Sequence, residues 1–173
     1  MEMDEKIKAL ESKIGALNKK LQCKEEERQA SKNRLEANKQ LVRNLFEAGS
    51  RLDGDEFISY TSDDATFETL ASHQLSGVKT REQYLKEFPV LRKALPNGIQ
   101  FEIVSMIAEN DRVHCEAKGF ATTADNKEYK NQYSFILTIR DGKVVRFREY
   151  MDTDLVLRVL MPTFIAMGVD KVG

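Results

Sequence analysis

Residues 133–152 read Y-S-F-I-L-T-I-R-D-G-K-V-V-R-F-R-E-Y-M-D. Asp141-Gly142 separates two runs of β-branched, aromatic and aliphatic residues, the strongest short signal for a β-hairpin. Side chains alternate faces along a strand. Tyr133, Phe135, Leu137 and Ile139 therefore share one face of the first strand. Val145, Phe147, Glu149 and Met151 share one face of the second, and Arg146, Arg148 and Tyr150 take the other. Glu149 thus stands in line with apolar residues rather than with the arginines. Either it is placed in a pocket, or the sheet bulges there and it meets water or an arginine.

Working backwards from the hairpin, the period is two from Ile99 onward. Strand 99–108 places Phe101, Ile103, Ser105 and Ile107 on one face, and Asn110-Asp111 turns the chain. Strand 112–123 places Val113, Cys115, Ala117, Gly119 and Ala121 on one face and His114 with Glu116 and Lys118 on the other. Asp125-Asn126-Lys127 makes the next turn. Before these strands, Thr80 and Gln83 form a capping box opening a helix with Tyr84, Leu85, Phe88 and Leu91. Pro89 predicts a kink or break in it. Ala65 to Leu70 reads as a strand after a Ser62-Asp63-Asp64 turn, and Ser72 to Gly77 as a loop or hairpin tip holding His73. Asn38 to Leu52 carries a broad apolar stripe, as for a helix packed on a sheet. Asp53 and Glu56 fit a capping box for a short helix with Phe57. Asp152 caps a last helix, which Pro162 is expected to stop.

The first 36 residues are different material, with 17 charged side chains of both signs and no proline. Ile7, Leu10, Ile14, Leu17 and Leu21 fall at strict a/d heptad spacing, and Lys24, Arg28 and Ser31 end the seam. Three heptads sit at the lower edge of a coiled-coil signal. Two readings stand, a solvated helical extension and a short dimerising coil. Gly15 weakens both.

The order of elements predicts an α+β fold, a curved antiparallel sheet closed into a cone by helices, with an apolar pocket inside. Its expected parts are a charged helical extension (1–37), the cone domain (38–160) and an apolar C-terminal tail (161–173). The 173 residues carry a net charge of −1, which argues against nucleic acid as a partner. The longest uncharged run is too short for a membrane span, and the charged N-terminus does not read as a secretory signal. Cys23 and Cys115 fall in unlike segments, so no disulfide framework or metal cluster is expected and a cytoplasmic setting is. No cofactor-binding motif is present.

The D-D-A-T-F-E run at 63–68 and the pattern Y-x-N-x-Y-x-F-x-L-x-I-x-D-G-K-V-x-x-x-R-E-Y-M-D from Tyr129 to Asp152 resemble the SnoaL-like group of the nuclear-transport-factor-2-like superfamily. The second stretch is most similar to the phenazine-biosynthesis A/B proteins. The resemblance spans roughly residues 38–160, on the scale of one domain. It implies that Glu149 lies in the ligand pocket and acts as acid or base. The residues that activate water in the related limonene-epoxide hydrolase have no match here. The superfamily hosts enzymes, binding modules and transport adaptors alike, so the fold does not fix the function.

The candidate catalytic residues are Glu149, as a carboxyl whose pKa burial raises; Tyr133, whose hydroxyl would donate to an enolate oxygen or simply fill the core; His73, with a pKa suited to proton transfer; and Asp152, whose plainer role is an N-cap. Phe67, Thr69, Tyr84, Phe135, Phe147 and Met151 are the candidate substrate-binding residues. The expected function is a cofactor-independent isomerase, cyclase or dehydratase acting on a small apolar carbonyl-bearing metabolite. The alternative is a non-catalytic ligand-binding or dimerisation module that recruits a partner through the N-terminal helix. A homodimer is expected through the outer sheet face, which carries Phe120, Ile136, Val144 and Tyr150.

Overall fold

A computed structural model describes residues 2–71 and 76–167. The chain divides into two compact units, Met1–Glu36 and Ala37–Gly173. Helix α1 runs without interruption over Glu2–Ser50, so the two helical patterns of the sequence belong to one helix. In the first unit Ile7, Leu10, Ile14, Leu17 and Leu21 are all exposed. In the second unit Val42, Leu45, Phe46 and Ala48 of the same helix are buried in the core.

The second unit has the expected α+β fold. Six strands, β1 (Thr61–Thr69), β2 (Gly77–Thr80), β3 (Gln100–Glu109), β4 (Arg112–Thr122), β5 (Glu128–Arg140) and β6 (Lys143–Met151), form one sheet in the order β2-β1-β6-β5-β4-β3. All neighbours are antiparallel except β1 and β6, which run parallel. Helix α2 (Gly54–Ser59) precedes β1, and α3 (Arg81–Leu85) and α4 (Phe88–Ala94) lie between β2 and β3 in sequence. The chain closes with α5 (Thr153–Leu155), a π-helical turn (Val156–Leu160) and α6 (Met161–Ala166). Among the described residues no helix is long and apolar enough to cross a membrane.

The hairpin forms as expected. Asp141 and Gly142 both have positive φ, 52° and 71°, which is the type I′ turn that matches strand twist. Tyr133, Phe135, Leu137 and Ile139 are buried, as are Val113, Cys115, Ala117 and Gly119 on β4. The Thr80–Gln83 capping box is complete, and the helix breaks before Pro89, which sits in the first turn of α4.

Simple alternation fails where the sheet is bulged. The β3–β4 register shifts between Ile103 and Ser105. Met106 and Ala108 therefore face the core, and Ile107 turns out to solvent. The β5–β6 register shifts between Thr138 and Ile139, with Val144 paired to Ile139 and Arg146 to Thr138. Val145 is the extra residue, and Val144 is fully buried rather than on the outer face. Strand β1 begins at Thr61, so Ser62, Asp63 and Asp64 belong to an irregular strand and not to a turn. β2, unread in the sequence, pairs with β1.

Pro162 does not stop the last helix. The turn before it widens, with the Met161 N–H bonding to the Val156 carbonyl, and the helix restarts with Pro162 in its first turn. A proline is tolerated there because its missing N–H is not needed. Met161, Thr163 and Phe164 are buried, so this part of the tail packs on its own unit. Thr163 Oγ1 donates to Asp125 Oδ1 at 2.9 Å, tying α6 to the β4–β5 turn.

Two glycines permit close approaches that position the site. Gly98 has φ +77°, and a Cβ there would lie 2.2 Å from the Ser50 carbonyl oxygen; Ile99 N donates to that same oxygen at 3.0 Å. The start of β3 is thereby fixed to the end of α1. On β4, a Cβ at Gly119 would lie 2.8 Å from Tyr133 Cε2 and 3.0 Å from Ile99 Cδ1. The Tyr133 ring occupies the space a side chain would take. Gly119→Ala is therefore expected to lower stability by about 1–3 kcal/mol through overpacking, measured by denaturant unfolding.

Candidate functional site

An apolar cavity of about 170 Å³ lies inside the second unit. The sheet contributes Phe101, Phe135, Phe147 and Met151, and the helices contribute Phe46, Phe57, Leu91 and Leu160. Glu149, Thr69, Tyr84, Tyr129, Tyr133, Lys79 and Glu87 bring polar groups to its wall.

Glu149 faces inward, as strand parity predicts. Its alternative partners are occupied elsewhere. Arg146 and Arg148 both bond to Glu68, at 2.8 and 2.9 Å. The parallel register of β1 and β6 sets Thr69 opposite Glu149, and Thr69 Oγ1 donates to Glu149 Oε1 at 2.7 Å. The residue as a whole is half-buried, but its carboxyl is enclosed, and desolvation pushes its pKa up to about 7. The Thr69 hydrogen bond works against that rise, Glu87 adds to it and Lys79 opposes it. Lys79 and Glu87 form an ion pair with each other at the cavity wall.

The second polar group is built on β5. Tyr129, Asn131 and Tyr133 alternate onto its inner face. Asn131 Oδ1 accepts from the N–H groups of Gln132 at 2.7 Å and Asp152 at 3.0 Å. Its NH₂ therefore donates to the Tyr129 hydroxyl, 2.8 Å away, and to the Asp152 carbonyl at 3.0 Å. The Tyr129 and Tyr133 hydroxyls are 2.8 Å apart. Either hydroxyl can donate in this pair. With Tyr129 as the donor, the Tyr133 proton is left for a ligand in the cavity. Desolvation raises the pKa of Tyr133 well above its ordinary value, and raises those of Tyr129 and Tyr84 too. These phenols keep their protons at physiological pH.

Of the candidate residues, Glu149, Tyr133, Thr69, Tyr84, Phe135, Phe147 and Met151 meet at this cavity. Phe67 does not line it. Its ring lies behind, stacked on Tyr84 with centroids 4.1 Å apart. Asp152 does not line it either; its side chain caps the last helix by accepting from Leu155 N at 3.1 Å. His73 lies outside the described residues. Lys79, Glu87, Tyr129 and Asn131 were missed. For Asn131 a signal existed, because a lone amide on an apolar face between two tyrosines breaks parity as Glu149 does. Lys79 lies on the unread strand β2.

A curved sheet closed by helices over an apolar cavity with a few inward polar groups defines a small-ligand-binding α+β fold. A sequence profile described as the SnoaL-like domain matches residues 42–147, more than half of the chain, and the protein belongs to that family. Solved structures share the fold. PrhC from Penicillium brasilianum is 17% identical, with a TM-score of 0.70, over 79% of this chain and 93% of its own. An NTF2-like protein from Burkholderia pseudomallei is 16% identical, with a TM-score of 0.63, over 71% and 96%. A proposed SnoaL-like polyketide cyclase from Jannaschia sp. CCS1 is 16% identical, with a TM-score of 0.60, over 71% and 90%. No curated protein matches the sequence.

The raised pKa of Glu149 has a stability consequence. The unfolded carboxyl ionises near 4.5 and the folded one near 7, so between those values the folded state holds the extra proton. Wild-type stability therefore falls as pH rises through this window and stays lowered above it. Glu149→Gln removes the penalty. At pH 8 the variant is expected to exceed wild type by about 2–3 kcal/mol, with the gap closing by pH 5, in parallel urea titrations.

Proposed function

We propose that this SnoaL-like domain is a cofactor-independent acid–base enzyme, an isomerase, cyclase or dehydratase, acting on a small apolar carbonyl-bearing metabolite. The observation that carries the reading is the convergence of an enclosed Glu149 carboxyl and the Tyr133 hydroxyl on one apolar cavity. A filled cone, or a carboxylate tied to an arginine, would have favoured a binding or dimerisation module. The comparison with a proposed polyketide cyclase supports the same class. The narrower likeness to the phenazine-biosynthesis A/B proteins rests on the Tyr129 to Asp152 stretch, with its Arg-Glu-aromatic-Met run after Asp-Gly-Lys.

In this reaction the ionised Glu149 takes a proton from the carbon next to the substrate carbonyl. The electron pair moves onto the carbonyl oxygen, and the resulting enolate accepts a hydrogen bond from Tyr133. Protonated Glu149 then returns the proton at another carbon, or to a departing hydroxyl as water. A carboxyl with a pKa near 7 populates both forms at neutral pH, as such a shuttle requires. A cavity of about 170 Å³ suits a single ring or a short chain. Thr69 orients the carboxyl, and Phe135, Phe147, Met151 and Tyr84 supply apolar contact.

The test is deuterium exchange at the α-carbon of small enolisable ketones in D₂O. Wild type is expected to accelerate exchange, with kcat/KM rising with pH through a midpoint near 7. Glu149→Gln is expected to lose roughly 10²–10⁴-fold and Tyr133→Phe roughly 10²–10³-fold. Ketones that bind without exchange above background would remove the enzyme reading and leave the binding module.

We also propose the homodimer through the outer sheet face, supported by one row of the register. There Ile136 pairs with His114, and His114 with the exposed Ile107. Ile107→Lys is expected to raise the dimer dissociation constant about tenfold, read by sedimentation equilibrium. An unchanged constant would assign pairing to another part of the chain.

A further inference from the structure

The first unit leaves an apolar seam in water. Met3, Ile7, Leu10, Ile14, Leu17 and Leu21 are each 49–74% exposed, on the part of α1 that carries most of its charged residues. Their spacing alternates four and three residues. With Ile7, Ile14 and Leu21 at a, the d positions are Met3, Leu10 and Leu17. Isoleucine at two of the three a positions and leucine at two of the three d positions follow the pairing, β-branched at a with leucine at d, that favours two parallel strands.

The flanking charges choose the occupant. In this register Lys6, Lys13 and Lys20 fill the g positions, and Glu11, Asn18 and Glu25 fill e. In a parallel pair each g residue faces the e residue of the partner's next heptad. Lys6 then meets Glu11 of the second copy, Lys20 meets Glu25, and Lys13 meets Asn18, which can accept a hydrogen bond. An antiparallel pair that matches the apolar seams would set the lysine row against itself and Glu11 against Glu11 of the second copy. We propose that Met3 to Leu21 forms a parallel, in-register, two-stranded coiled coil with a second copy of this chain.

Two further features agree. Gly15 falls at b, outside the seam, and nothing lies within 4 Å of where its Cβ would be, so it lowers helix propensity without holing the interface. The seam ends where the next a and d positions become Lys24, Arg28 and Ser31. Within one chain Lys6 already pairs with Glu2 at 2.7 Å, but both side chains are largely exposed, so that bond competes weakly.

The test is disulfide trapping in the full chain with Cys23→Ser. Cys115 is buried, and desolvation pushes its thiol up to about 11, so it stays out of the exchange. Leu10→Cys, at d, is expected to convert mostly to covalent dimer in a glutathione redox buffer. Adding Lys6→Glu, Lys13→Glu and Lys20→Glu is expected to cut the yield roughly tenfold, by setting glutamate against glutamate. Ser12→Cys, on the opposite face, is expected to stay monomeric. No dimer from Leu10→Cys, equal dimer from Ser12→Cys, or a yield indifferent to the lysine reversals would each overturn the proposal. The first result would point to a helix from a different protein as the occupant.

Discussion

The second unit is arranged around one costly group, a carboxyl on the apolar face of a sheet. Placing Glu149 there takes its carboxyl out of water, and that carboxyl's only hydrogen-bond partner among the described residues is a neutral hydroxyl. Two register choices sustain this. The parallel pairing of β1 with β6 brings Thr69 level with Glu149. The same pairing sets Glu68 level with Arg148 on the outer face, where it binds both arginines of β6. The cations nearest in sequence are thereby kept from the carboxyl. An arginine turned inward would have held Glu149 ionised and lowered its pKa.

The tyrosine cluster follows a different logic, in which every polar atom is given a partner before the cavity is reached. Asn131 is locked by two backbone N–H groups, which fixes which end of its amide meets Tyr129. One of those N–H groups belongs to Asp152, so the cap of the last helix and the hydroxyl relay share a residue. The ring of Tyr133 is placed by the absence of a side chain at Gly119. Such preorganisation matters because a donor already aimed at the site needs no rearrangement when charge appears.

Much of this was legible in the alternation of side chains. Along β4, β5 and the last residues of β6 the period of two held, which is why Glu149, Tyr133 and Phe135 were found. It failed at Ile107 and Val144 because a bulge is set by what the neighbouring strand can pair with, and one strand's sequence carries little of that information. β2 escaped because four residues of an edge strand, with Lys79 at the cavity, show no periodicity. Pro162 misled for a related reason. A proline excludes an α-helical hydrogen bond, but it does not exclude a widened turn ahead of it. Phe67 had the right parity yet sits behind Tyr84, since parity assigns a face and not a depth.

One physical cause divides the roles in the proposed reaction. Burial disfavours the charged form of an acid, so it raises Glu149 and Tyr133 alike. A carboxyl begins far below neutrality, and the rise carries it to about 7, where gaining and losing a proton are both easy. A phenol begins far above neutrality, and the rise carries it further away, so Tyr133 keeps its proton and can only donate a hydrogen bond. The same dry wall thus makes one group a proton carrier and the other a fixed dipole. A phenol in the place of Glu149 could not carry the proton, because a buried phenol is too weak an acid to shuttle. Admitting water would undo both at once, which gives the aromatic lining and the packed C-terminal helix a chemical role beyond stability.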